Sequence, residues 1–431
     1  MSVFEIEGGH PLNGTVVVGG NKNAALKLLP ACLLSDQPIT LHNIPNIAGV
    51  RKTIAIMQDL GVEVERIAPT SYRIHAQEVQ STTLNRKLAG STRASFVFSG
   101  PMLGRLGQIE LPMPGGDMIG GRPLDTHIQG LRALGADITF EDGTFKMQAD
   151  GLHGAGYLLQ AQQSVTATEN TIMASVLAKG ETIIDNSACE PHVQDLCNFL
   201  NVLGAQIEGI GSNRLTIQGV DGLGGGEFTI GSDFMEVGSF IGAAAVTEGE
   251  IRIANAGVDN LHMMAYVYRQ LGVEWQVDGD DIIVPSNQKL DIDQMLSGGM
   301  LEIKPQPWPG FPPDLMSILV VIATQAKGSV LLHDWMYESR FFFVDKLNFM
   351  GARTVLCDPH RVIVSGPSPL HANPEGVASP DIRAGMAMVL AALCAKGTSR
   401  IGNIFQLERG YENLEQKLRG LGANIRRVEA G

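Results

Sequence analysis

Cysteine is scarce in this chain. The five present (Cys32, Cys189, Cys197, Cys357 and Cys394) are odd in number, scattered, and form no CxxC pair. That excludes a disulfide framework and a cysteine-based zinc cluster, and it points to a reducing, cytoplasmic setting. A surplus of positive charge is also missing: 32 Lys and Arg stand against 45 Asp and Glu, a net charge of −13. Nucleic acid and anionic membrane are therefore not expected as partners. Long apolar runs are absent too. The longest, Leu315–Thr324, is about half of what a membrane span needs. The first residues offer neither a basic start nor an apolar run, so no secretory leader is expected. No strand runs into GxGxxG, which removes the dinucleotide-binding dehydrogenases. What is present, 44% hydrophobic and 18% charged residues over 431 positions, describes a soluble globular protein of two large domains. An anionic ligand would need the basic residues to be gathered locally.

One pattern recurs. A helical segment closes on Leu/Met-Gly-Ala/Val at Leu60, Leu134, Leu203, Leu271, Met350 and Leu421, at spacings of 68 to 79 residues. Six occurrences at nearly constant spacing define an internal repeat of about 70 residues. Each unit has an amphipathic helix (Val193, Leu196, Leu200 and Leu203 lie on one face) and a glycine stop. Two short strands follow, such as Gln206–Ile210 with Arg214–Gln218, then a more apolar helix such as Ser379–Lys396 and a strand such as Glu181–Asp185. Helices alternating with strands make an α/β protein. The second helices are apolar nearly all round, which places them inside with the sheets outside.

The second unit departs from the pattern. Between its strand Gln108–Leu111 and a helix expected from Pro123 lies Pro112–Arg122, a glycine-rich loop with Asp117 at its tip and Arg122 at its base. Its counterpart in the third unit, Asn186–Glu190, is less than half as long, and an over-long loop in a compact domain is usually functional. The apolar helices begin at Lys22-Asn23, Arg93, Ser164, Asp233, Asp314 and Arg383. Capping accounts for Ser164 and Asp233 and is open to Asp314. It does not account for Lys22, Arg93 and Arg383, since a cation is disfavoured at the positive end of a helix dipole. Cations placed where helix N-termini already attract anions suggest a phosphate or carboxylate ligand. Arg340 and Arg409 singly read as solvated charges just ahead of helices. Together with Lys22 and Arg122 they make a cationic pocket.

These residues carry a resemblance across essentially the whole chain. Gly19-Gly20-Asn21-Lys22-Asn23-Ala24-Ala25, Thr92-Arg93-Ala94-Ser95, Pro114-Gly115-Gly116-x-x-Ile119-Gly120-x-Arg122-Pro123, Phe311-Pro312-x-Asp314, Glu338-x-Arg340-Phe341, Asp381-x-Arg383-Ala384 and Arg409-Gly410-Tyr411-Glu412 stand in that order. The sequence resembles the UDP-N-acetylglucosamine 1-carboxyvinyltransferases, a family of enolpyruvyl transferases. The resemblance implies a two-domain inside-out α/β barrel of six repeats, three per domain, closing over its ligands. Residues 22–231 would hold repeats 1–3 with the loop 112–122, and 1–21 plus 232–431 would hold repeats 4–6. It implies transfer of the enolpyruvyl group of phosphoenolpyruvate to the 3′-hydroxyl of UDP-N-acetylglucosamine in peptidoglycan precursor synthesis, with phosphate released and no metal or organic cofactor. By the same resemblance Asp314 takes the proton of the sugar hydroxyl, and Asp117 protonates the donor's methylene carbon. Lys22, Arg122 and Arg409 bind donor phosphate and carboxylate beside Arg340 and Arg383. Asn23 and Arg93 contact sugar or diphosphate. Pro123, Leu124, Asp125, Ser164, Val165 and Thr166 form the uridine edge, and Met336 joins the substrate-binding set.

Three positions depart from the family's common pattern. Asp117 stands where many members have a cysteine, Gln162 where a lysine is common two residues before the Ser164 match, and His192 where a glutamate is frequent in the third-repeat loop. The alternatives are transfer to another uridine nucleotide, transfer to shikimate 3-phosphate, and an inactive sugar-nucleotide sensor. Asn21-Lys22-Asn23, with no serine beside the lysine, favours the nucleotide sugar over shikimate 3-phosphate. The survival of Asp117, Asp314, Lys22 and Arg409 argues against a dead site.

Overall fold

A helix that is apolar on every face has none to offer water, and this fixes where the layers go. The computed structural model describes residues 2–116, 121, 123–373 and 376–429. In it the six inner helices are α1 (Lys22–Ala31), α2 (Ser99–Leu106), α3 (Val165–Ser175), α4 (Phe234–Val246), α5 (Met316–Gln325) and α6 (Ile382–Cys394). Of these α4 and α5 are the most apolar, and α3 also buries Thr168, Glu169, Asn170 and Thr171. All 13 residues of α4 are buried, as are Met316–Thr324 of α5 and Ala167–Ser175 of α3. The amphipathic helices behave differently: Pro191–Val202 buries Val193, Leu196 and Leu200 and exposes Val202.

The chain divides into two compact units, one holding residues 2–19 and 232–429, the other 20–116 and 123–231. In the second unit, Gly226–Thr229 pairs in parallel with Ile39–His42, which pairs antiparallel with Ser71–His75 and that in turn with Glu63–Ala68. Leu158–Leu159, Glu181–Asp185, Arg214–Gln218 and Gln206–Glu208 repeat the same parallel–antiparallel–antiparallel order. The third sheet, Gln108–Pro112, Thr144–Gln148 and Asp137–Glu141, replaces the parallel edge strand by a single bridge from Thr83 to Glu110.

In the unit of residues 2–19 and 232–429 the order appears again. Gly14–Val17 runs parallel to Ile251–Ala254, followed by Asp281–Val284 and Gln276–Asp278. Leu301–Ile303, Gly328–His333, Arg361–Gly366 and Arg353–Asp358 form the next sheet. In the last, the chain's first strand Ser2–Glu7 takes the third place, between Thr398–Gly402 and Asn424–Glu429, with Phe4 opposite Ile401 and Ile6 opposite Ile425. No helix among the described residues is long and apolar enough to cross a membrane.

Two expected helix starts move. Arg93 and Asp314 fall on 3-10 turns, Arg93–Phe98 and Pro313–Leu315, that lead into α2 and α5. Pro313 suits such a tight first turn because it has no N–H to place. The helix expected from Pro123 begins at Asp125 and runs to Ala133, with Leu124 at its cap position.

Glycine decides how closely the helices of the 232–429 unit approach. A Cβ on Gly242 of α4 would lie 2.6 Å from Ile318 Cγ2 and 3.1 Å from Leu390 Cδ2, whereas one on Gly420 would meet nothing within 4 Å. Alanine gains about 1 kcal/mol of helix propensity over glycine, and overpacking costs about 1–3 kcal/mol. The branched methyl of Ile318 cannot swing aside. Thermal unfolding should therefore show Gly242→Ala destabilised by about 1 kcal/mol and Gly420→Ala stabilised by several tenths. Equal shifts of one sign in both variants would contradict close packing at Gly242.

Candidate active site

In the 232–429 unit the acid and its cations come from three separate stretches of chain. Asp314 sits in the turn ahead of α5, Arg340 follows the strand Gly328–His333, and Arg383 is the second residue of α6. Arg340 Nη2 donates to Asp314 Oδ1 at 3.0 Å, and Arg383 Nε donates to Asp314 Oδ2 at 3.1 Å. Asp314 is thus held by a cation on each oxygen, while its side chain keeps 31% exposure against 2% for Arg340 and 4% for Arg383. Arg340 is no solvated surface charge. Its Nε lies 3.5 Å from Asp334 Oδ2, which is fully buried, and its guanidinium stacks over the Tyr337 ring at 5.0 Å.

Burial alone would lower the Arg340 pKa, but Asp314, Asp334 and Asp381 outweigh it and hold it above the ordinary value. Arg383 follows the same logic: burial opposes the charge, and Tyr411, Asp314 and Asp233 raise its pKa on balance. Burial raises Asp334, with Arg340 and the N–H groups of Met336 and Tyr337 opposing. Those two N–H groups donate to Asp334 Oδ1 at 3.0 and 3.1 Å, which ties Met336 to the cluster through Asp334.

Tyr411 is a member that the sequence reading passed over. Its hydroxyl accepts from Arg383 Nη1 at 3.0 Å and lies 2.8 Å from Ser239 Oγ. Arg409 closes a 3-10 helix, Ile404–Arg409, and donates to Gln406 Oε1 at 2.6 Å.

The 20–231 unit collects a second group at helix starts. Asn21 caps α1, its Oδ1 accepting from the N–H of Asn23 (2.8 Å) and Ala24 (3.1 Å), so Lys22 and Asn23 occupy the first turn. Thr92 caps the turn that Arg93 opens, and Arg93 Nη2 donates to the carbonyl of Pro123 at 3.4 Å. Ser164 caps α3, its Oγ accepting from the N–H of Ala167. Val165 and Thr166 are half-buried, Pro123 and Asp125 exposed, and Leu124 buried.

His127, also missed in sequence, joins this edge. Asn170 Oδ1 accepts from the Gly100 N–H at 2.6 Å, so its Nδ2 faces His127 Nδ1 at 3.2 Å. That makes Nδ1 the acceptor and leaves Nε2–H to donate to Thr166 Oγ1 at 3.0 Å. Asp117 and Arg122, together with 118–120 of the loop, lie outside the described residues. His192 is in the first turn of Pro191–Val202 and buried, not in a loop.

The fold is that of the enolpyruvyl transferases. Solved structures of the enolpyruvyl transferase NikO from Streptomyces tendae (TM-score 0.88, 23% identity, 100% of this chain and 99% of that one) and of EPSP synthase from Acinetobacter baumannii (TM-score 0.75, 18% identity, 100% of both) share it. The family model for EPSP synthase (3-phosphoshikimate 1-carboxyvinyltransferase) matches residues 6–418. At the sequence level the chain is 49% identical over 425 residues to the UDP-N-acetylglucosamine 1-carboxyvinyltransferase of Treponema denticola, covering 99% of each. It is 47% identical over 430 residues, the full length of both, to the enzyme of the same name from Borreliella burgdorferi. The chain belongs to the UDP-N-acetylglucosamine 1-carboxyvinyltransferase family.

Removing one partner of a buried ion pair leaves the other uncompensated, a loss of about 3–5 kcal/mol. Arg340→Met, which strands the buried Asp334, should cost that much in denaturant unfolding, and adding Asp334→Asn should recover most of it. Asp314→Asn, which takes the paired carboxylate from Arg383 but keeps a carbonyl oxygen to accept from a guanidinium, should cost less than Arg340→Met. A parent-like midpoint for Arg340→Met would show that Asp334 does not depend on it.

Proposed function

We propose that the protein transfers the enolpyruvyl group of phosphoenolpyruvate to the 3′-hydroxyl of UDP-N-acetylglucosamine, releasing phosphate, in peptidoglycan precursor synthesis. The observation that carries the proposal is end-to-end identity of nearly one half to enzymes of that name. Within the site, the Asp314–Arg340–Arg383 cluster supports it. We read the six like-ordered sheets as six copies of one repeat, three per domain, in the inside-out arrangement. The activity is cytoplasmic in this reading, as the reduced cysteines and anionic substrates suggest.

The roles follow from charge. Asp314, held by a guanidinium N–H on each oxygen, is the carboxylate that takes the sugar hydroxyl's proton as the hydroxyl oxygen attacks C2 of the donor. The proton that reaches the donor's methylene carbon comes from Asp117. Attack and protonation together give a tetrahedral adduct, which loses phosphate and a proton to form the enol ether. Lys22, Arg122 and Arg409 bind the donor's phosphate and carboxylate and stabilise charge that grows in that adduct. Asn23 and Arg93 meet the sugar and diphosphate. The edge of Pro123, Leu124, Asp125, Ser164, Val165 and Thr166 receives the uridine, and Met336 lies beside the substrate.

Phosphate release from phosphoenolpyruvate is expected with UDP-N-acetylglucosamine and not with shikimate 3-phosphate or UMP; release with either of the latter alone overturns the acceptor assignment. Asp314→Asn should lose turnover by about 10²-fold or more while still binding the nucleotide sugar. Lys22→Ala should lose turnover and also weaken phosphoenolpyruvate binding. Full activity in either variant removes that residue from the mechanism.

The loop acid has its own test. Asp117→Asn keeps the shape without the proton and should be nearly inactive, whereas Asp117→Cys should retain turnover. Because a thiolate is a far better nucleophile than a carboxylate, the cysteine variant should also gain time-dependent inactivation by an epoxide such as fosfomycin. Normal turnover in the asparagine variant, or equally fast alkylation of the parent at residue 117, would show that the loop is not the proton donor.

A further inference from the structure

Beneath the N-terminal turns of the 20–231 unit lies a charged cluster that the chemistry above does not use. Lys27 of α1 is 4% exposed, Glu169 of α3 is 0% exposed, and His192 of the helix Pro191–Val202 is 4% exposed. Lys27 Nζ stands 3.1 Å from Glu169 Oε2 and donates to the carbonyl of Asn23 at 3.1 Å. His192 Nε2 is 3.9 Å from Glu169 Oε1. Glu190, ahead of the same helix, and Cys197 within it also act on Glu169 or feel its charge.

An ion pair so far from water is a poor source of stability, because desolvation offsets the attraction and apolar side chains of similar volume pack as well. What apolar packing lacks is direction. The ammonium donates to the Asn23 carbonyl in the first turn of α1 and forms an ion pair at 3.1 Å with a carboxylate one turn inside α3. Those two helices carry Asn23 and Ser164–Thr166 at their starts.

We propose that Lys27 and Glu169 are positioning residues for the nucleotide-sugar acceptor. The Glu169 carboxylate holds the Lys27 ammonium so that the first turns of α1 and α3 keep one fixed register. The inference rests on the acceptor assignment of the preceding subsection.

The pair is sensitive to pH. Burial pushes the Glu169 carboxyl up to about 7, with Lys27 opposing and Glu190 adding to the rise. A carboxyl whose folded pKa lies above its unfolded value binds more protons folded than unfolded between the two. Its contribution to stability is therefore full below about 4.5 and is lost as pH rises through about 7. Positioning runs the other way, because only the ionised form holds Lys27.

The KM for UDP-N-acetylglucosamine should accordingly fall as pH rises through about 7, with kcat changing less. Glu169→Gln should remove that limb and leave KM raised about tenfold at pH 8, as the ionic hold on Lys27 is lost. Lys27→Arg should keep a lower KM than Lys27→Met, and calorimetric binding of UDP-N-acetylglucosamine should rank the Lys27 variants in the same order even if Glu169→Gln fails to fold. A Glu169→Gln profile superimposed on the parent's overturns the proposal. So do equal affinities in the two Lys27 variants, or losses of kcat in step with melting temperature at unchanged KM. A parent that releases no phosphate with UDP-N-acetylglucosamine would refute the acceptor assignment instead.

Discussion

The constraint on which this structure depends is the N-terminus of a helix buried on all sides. Such a helix leaves its first N–H groups without intrahelical partners. A side-chain oxygen accepts at the starts of the inner helices, all but that of α5, which follows the turn Pro313–Leu315 with no side-chain cap. Asn21, Ser164, Asp233 and Asp381 do so for α1, α3, α4 and α6, and Thr92 does so for the turn before α2. The cap fixes the residues just after it within a fraction of a turn. Lys22, Arg93 and Arg383 follow their caps by one or two residues. The positive end of the helix dipole works against each cation, and a cap that turns its oxygen toward those N–H groups offsets part of that opposition. The charged chemistry therefore sits where the fold already spends a polar side chain.

The Asp314 cluster adds a second constraint. Two guanidiniums nearly without exposure face three buried or half-buried carboxylates, Asp314, Asp334 and Asp381. Arginine suits this place because its planar fork can serve two acids at once and it never loses its proton. Arg340 does so between Asp314 and Asp334, and Arg383 between Asp314 and Tyr411. A carboxylate locked on both oxygens has little freedom to reorient, which fixes the direction of its remaining lone pairs. The cost is borne by burial, and the acids around each arginine hold it charged.

Much of this was legible in sequence because periodicity and punctuation report burial directly. Apolar residues all round α4 and α6 could only mean the inside, and strands such as Glu181–Asp185, Arg214–Gln218 and Asp281–Val284 lie where alternation put them. The cations at helix starts stood out against the dipole rule. What the sequence could not display was who pairs with whom across long separations. Asp334 reads as an ordinary loop acid, and only packing against Arg340 makes it a buried partner. Tyr411 meets Arg383 and Ser239 from 28 and 172 residues away. His127 gains meaning only when Gly100 orients Asn170. Arg340 taken singly reads as a solvated charge because arginine is seldom buried, and Asp314, Asp334 and Asp381, which hold it charged in the interior, are spread over 68 positions of the chain.

The positions that depart from the family's common pattern, Asp117, Gln162 and His192, all lie in the segment 20–231, while Asp314, Arg340, Arg383 and Arg409 match it. His192 has a physical reason to differ. Its neighbour Glu169 is fully buried, already pushed toward protonation, and further raised by Glu190. A third carboxylate there would add to the charge of Glu169 and Glu190 in a buried site, where like charges oppose one another's ionisation. Histidine removes that charge and places Nε2 3.9 Å from Glu169 Oε1. The exchange at 192 is thus bound to Lys27 and Glu169, and these three positions make one electrostatic unit.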